Sequence, residues 1–134
     1  MMAAFLIGRV IVGAFFIING LNHFISHPMF TQFAAAKGVP LADIAVLVAG
    51  SLIVFGGTSL LLGWRPDLGI GAIVLFLIVV SFFMHDFWTQ SGTAQMAEIA
   101  NFTKNIALAG ASLMLTAVPR PWPYSIEAPR RIAV

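Results

Sequence analysis

The chain has 134 residues, of which 60% are hydrophobic and only 9% charged, with a mean hydropathy of +0.97 and a formal net charge of +2. A soluble domain carries about a quarter charged residues, so this chain cannot clothe itself in a solvated surface, and its few scattered basic residues exclude a nucleic-acid partner. It has no cysteine, which excludes disulfides, thiolate metal sites, iron–sulfur ligation and thiol catalysis.

Four apolar stretches follow one another, and each approaches the roughly 20 residues that a membrane-crossing helix needs. The first runs from Phe5 to Phe24. Arg9 interrupts its start and a long apolar run follows, so it reads as a retained helix rather than a cleaved leader. Next comes a short helix over His27 to Gly38, with Pro28 suited to its first turn and Gly38 to its stop. Phe30 and Phe33 stand three apart, which would let this helix lie flat in the membrane interface as a lid or plain connector. The second span covers Leu41 to Leu62, and Trp64-Arg65-Pro66-Asp67 forms a tight turn into the third, Leu68 to Met84 or His85. The fourth covers Glu98 to Val118 and must take Phe102 to Asn105 into the membrane. Pro119 stops it, and Pro121, Pro123 and Pro129 keep the tail from 119 to 134 irregular. The expected fold is all-α: one domain, an integral membrane four-helix bundle.

Arg9, Arg65, Arg120, Arg130 and Arg131 fall on one side of this bundle, and Lys37 and Lys104 on the other. That excess places both termini in the cytoplasm. Trp64, Trp88 and Trp122 suit aromatic belts at the two interfaces.

Counting about 100° per residue, Arg9, Gly13, Phe16, Gly20 and His23 share one stripe of the first span. Ser51, Thr58 and the pair Gly56-Gly57 mark the second. Ser81, His85 and Trp88 share a face of the third, and Asn101, Asn105, Ser112 and Thr116 of the fourth. Polar groups in lipid must find partners inside the protein, so these stripes are expected to face one another, with the small residues permitting close packing.

All three histidines collect at the outer end. His23, His27, His85, Asp86 and Glu98 lie in or beside the outer connections, with Lys104 and Asn105 just inside the fourth span. A membrane-embedded lysine needs a partner such as Asp86, Glu98 or a ligand oxygen. Ordinary interfacial polarity explains a lone histidine; His23, His85, Asp86, Trp88, Lys104 and Asn105 together outline a candidate ligand-binding site. Haem ligation by His23 and His85, or a metal held by the three histidines with Asp86, has no ligand spacing behind it. Arg9 is expected either to snorkel to the interface or to act within the bundle.

Several segments carry a resemblance. These are Gly8-Arg9-Val10 and Gly20-Leu21-Asn22-His23-Phe24, then Lys37-Gly38-Val39-Pro40, Gly56-Gly57 and Leu62-Gly63. His85-Asp86-Phe87-Trp88 and Asn101-Phe102-Thr103-Lys104-Asn105 complete the set. In this order and spacing the chain resembles the DoxX family of small bacterial and archaeal membrane proteins. The resemblance implies a four-helix bundle in the cytoplasmic membrane and a link to respiratory or quinone-related redox chemistry. Relatives often carry a glutamate shortly before the paired glycines; here that stretch is Ser51-Leu52-Ile53-Val54, so no acidic partner for Arg9 carries over.

Three functions fit these features. One is a quinone-associated component of a membrane redox complex, with histidine and lysine donating to quinone oxygens and Asp86 relaying a proton. A second is an accessory subunit or homo-oligomer with no chemistry of its own, and a third is a small-molecule carrier. No nucleotide motif is present, so an enzyme acting alone is not expected.

Overall fold

A computed structural model describes residues 2–127 and contains five α-helices: α1 (Met2–Ile25), α2 (His27–Ala36), α3 (Ala42–Leu62), α4 (Pro66–Met84) and α5 (Gly92–Met114). Single 3-10 turns follow α4 at Phe87–Thr89 and extend α5 at Leu115–Ala117. No strand occurs among the described residues. Three helices, those opening at Met2, Ala42 and Pro66, are long and apolar enough to cross a membrane. The fourth long helix, α5, is not apolar enough by itself, because Glu98, Asn101, Lys104 and Asn105 fall within its first two thirds. It also begins at Gly92, well before the expected Glu98.

The helices pack in series, α1 on α3, α3 on α4 and α4 on α5, with α2 laid mainly on α3. The α1 stripe read from the sequence is what makes the first contact. Arg9, Gly13, Phe16 and Gly20 are its buried residues. A Cβ on Gly13 would stand 2.9 Å from the Gly57 carbonyl oxygen, and one on Gly20 2.9 Å from that of Gly50. Backbones this close require glycine on both helices. Phe16, Ile53, Leu60, Ile70, Ile73, Leu77 and Ala109 then form the core between them.

Gly63, at φ +63°, ends α3 in the left-handed conformation. Its N–H donates to the Leu60 carbonyl at 3.2 Å and that of Trp64 to the Ser59 carbonyl at 3.0 Å, which satisfies the last turn of α3. Pro66, whose missing N–H costs nothing in a first turn, then opens α4.

The tail is not a loose appendage. Trp122 is 3% exposed and meets Phe5 edge-on, with ring centroids 5.2 Å apart. It is therefore a core residue and not part of an aromatic belt. The Ile126 N–H donates to the Leu62 carbonyl at 3.0 Å. Pro129, Arg130 and Arg131 lie outside the described residues.

Candidate functional site

The ends of α1 and α4, the starts of α3 and α5, and all of α2 meet at one end of the molecule. This end carries every histidine. Pro28 fits the first turn of α2, and Ala34 packs with Ala42 and Val46 to seat the helix on α3. Phe30 and Phe33 part company: Phe30 turns inward and stacks on His23 at 4.6 Å and 8°, while Phe33 is 60% exposed. Lys37, just past α2, forms an ion pair with Asp86, just past α4. Thr89 donates a second bond to the same carboxylate at 2.8 Å. Asp86 is thus occupied within the chain, and it anchors the end of α2.

His85 Nδ1 donates to Glu98 Oε2 at 2.8 Å, with both side chains about four-fifths buried. This bond leaves the Nε2 atom as the second working position of the ring. Four aromatic side chains from the end of α4, the turn after it and α5 cluster at the same end of the molecule. Phe102 meets Phe82 at 5.3 Å and Phe87 at 5.3 Å, and Trp88 lies 5.1 Å from Phe87. Phe82 and Trp88 are more than half exposed, so the cluster offers an open ring face. Gln95 holds the turn by donating to the Phe87 carbonyl at 3.2 Å.

The expected site residues therefore divide. His85 and Trp88 stand together with Glu98 and Phe102. His23 points its Nδ1 to the Asn19 carbonyl of its own helix at 2.8 Å and is capped by Phe30. Lys104 does not reach Asp86 or Glu98, both already paired; it bonds Asn101 at 3.1 Å on the exposed side of α5. Asn105 is buried against the neighbouring helices, as is Ser112. Thr116, expected on the same stripe, is exposed and bonds the Leu113 carbonyl. Ser51 likewise turns outward and bonds the Leu47 carbonyl, because a hydroxyl satisfied by its own helix needs no partner across the bundle. His27 binds the Asp43 carbonyl at 3.1 Å. No group of three or more His, Asp or Glu side chains converges as a metal would require among the described residues.

Arg9 is the residue whose role the sequence hid. It is 4% exposed, does not snorkel, and forms no ion pair with an acid among the described residues. Its guanidinium donates to the Pro123 carbonyl at 2.9 Å and the Tyr124 carbonyl at 3.1 Å. Buried arginine is tolerated when such acceptors replace water. Arg120 pairs with Asp67 at the same end, fastening the tail a second time.

The DoxX family model matches residues 4–86, more than half of the chain. The chain belongs to the DoxX family. The match takes in α1 to α4, the Lys37–Asp86 pair and His85, while Glu98 and the rest of α5 lie beyond it. The chain is also similar to the inner membrane protein YphA of Escherichia coli (strain K12), 27% identical over 122 residues, which cover 91% of this chain and 86% of that protein. No solved structure matches it.

Proposed function

We propose that this DoxX-family membrane protein is a quinone-associated component of a redox complex in the cytoplasmic membrane. All four long helices cross the bilayer in this reading, with both termini inside. The packing supports the fourth crossing. Phe102 of α5 lies against Phe82 of α4 and Ala109 joins the core with Ile70, Ile73 and Leu77. Because α5 runs beside a helix apolar enough to span, the bilayer that holds α4 also holds α5, and its polar groups turn to protein partners.

The observation that carries the proposal is the His85–Glu98 pair at the end of the molecule that also holds the partly exposed aromatic cluster of Phe82, Trp88 and Phe102. A quinone ring stacks on such a face. With Nδ1 donating to Glu98, the neutral imidazole accepts the quinol hydroxyl proton at Nε2, and Glu98 steadies the imidazolium that forms. The electrons leave to a partner protein, since no residue here carries them. Quinone oxidation state and proton position would then change together at one place.

A short-chain quinone should raise the thermal midpoint of the purified protein, and His85→Ala and Glu98→Gln should each remove that rise. Lys104→Ala should keep it. An equal midpoint with and without quinone overturns the proposal and leaves the second reading, a subunit without chemistry. That reading draws support from the ion pairs already satisfied within the chain at the α2 end.

A further inference from the structure

The outward faces of the long helices differ. Those of α1 and α4 present large side chains, including Ile7, Ile11, Ile18, Leu75 and Phe82. Lipid is the natural neighbour of such surfaces. α5 also exposes large side chains (Met96, Ile99, Ile106, Leu113 and Met114), but one exposed stripe of it reads Ala97, Ala100, Lys104, Ala107 and Ala111, alternating three and four apart as a helix-packing seam does. On α3, Leu47, Val48, Ser51, Leu52 and Phe55 line a shallow, open apolar groove of about 330 Å³. Asp43, in the first turn of α3 above the groove, has His27 Nε2 at 3.7 Å, yet its side chain stays 72% exposed and open to a second partner.

We propose that this groove receives α5 of a second copy of the chain, with Lys104 of one copy against Asp43 of the other. Charge selects this pairing over its alternatives. Two α5 seams face to face bring lysine to lysine, and two α3 faces bring aspartate to aspartate. Only α3 against α5 joins opposite charges, in a setting where an unneutralised charge is costly.

Height in the bilayer agrees. Glu98 is level with His85, Phe102 with Phe82, and Gly56 with Gly69 and Ile73. Ala107 lies about one and a half turns from Phe102, which brings it level with Leu77 on α4 and then with Ser51 or Leu52 on α3. Ala111 falls level with Phe55 by the same count. Lys104 starts about a turn lower than Asp43, but its amino group already reaches back to Asn101, one turn nearer that end. Two copies standing the same way up in the membrane therefore meet with alanine over groove and ammonium beside carboxylate. Small residues on one side and a groove on the other allow the close approach that membrane helices need.

The inference rests on the reading that α5 crosses the bilayer, and the absence of cysteine makes both testable in native membranes. Ser51→Cys and Ala107→Cys are introduced singly, on copies with different tags, and oxidised together with copper phenanthroline. The expected result is a disulfide joining the two tags as the main product. It should fall several-fold when Lys104→Glu is added and recover when Asp43→Lys accompanies it on the other copy. Formation of only same-site dimers, or of none, overturns the proposal. A water-soluble maleimide separates the causes. If α5 is in the bilayer, Ala107→Cys stays unlabelled whether or not copies pair; if it labels readily, the four-span reading and the pairing fall together.

Discussion

The guanidinium of Arg9 holds the carbonyl oxygen of Pro123 at 2.9 Å, across 114 positions of sequence. The contact joins the first helix to the chain beyond the last one. This matters because α1 and α5 do not pack along their lengths among the described residues. The helices form an open series, and the tail closes it at one end through Arg9, Trp122 and Ile126.

Removing the clamp should therefore loosen the tail before it unfolds the bundle. Arg9→Met leaves two carbonyls without donors, and a lost hydrogen bond to a charged group is worth about 1.5–3 kcal/mol. We expect a lower thermal midpoint in mild detergent and proteolytic cleavage near Tyr124 in the variant. The parent protein should resist cleavage there under the same conditions.

Trp122→Ala should cost more, about 3–5 kcal/mol, since the indole is buried in the core and against Phe5. Trp64→Ala, at a side chain 44% exposed, should change the midpoint far less. Equal losses in a denaturation series would show that the tail is not part of the core.

Glycine positions offer an internal control. Gly13→Ala places a methyl 2.9 Å from the Gly57 carbonyl oxygen, and such overpacking costs about 1–3 kcal/mol. Gly8→Ala meets nothing within 4 Å and should be neutral or stabilising by up to about 1 kcal/mol. Thermal midpoints of the two variants should move in opposite directions or differ clearly in size.

α2 has its own test. Lys37→Met removes the ion pair to Asp86 and leaves α2 held by Ala34, Phe30 and their neighbours. Amide exchange should become several-fold faster over His27–Ala36 and stay unchanged in α3. Unchanged exchange in α2 would mean that apolar packing alone seats it.

Much of this architecture was readable where local chemistry decides it. The stripe Arg9–Gly13–Phe16–Gly20 follows from helical spacing, the α3–α4 turn from Trp64-Arg65-Pro66-Asp67, and α2 from Pro28. Other features depend on parts of the chain far apart in sequence. Lys37 meets Asp86, and Arg9 meets Pro123 and Tyr124, through contacts that no local pattern encodes. Trp122 looked interfacial because proline surrounds it, yet the tail folds back and buries it. The start of α5 was misplaced because its first turns extend beyond the end of α4, with Glu98 level with His85, and polar residues there carry no apolar period. At the candidate site, helical spacing put His85 and Trp88 on one face of the third span, but α4 ends at Met84 and Trp88 stands in the 3-10 turn beyond it. Their companions Glu98 and Phe102 come from the next helix and emerge only when α4 and α5 pair.

The central claim is that a quinone binds over the aromatic face beside His85. It is tested most directly by titrating a short-chain quinone into the protein in lipid nanodiscs and following tryptophan fluorescence. The account predicts saturable quenching that Trp88→Phe largely abolishes and Glu98→Gln weakens. Quenching that rises linearly without saturation, and equally in the parent and Trp88→Phe proteins, would contradict it.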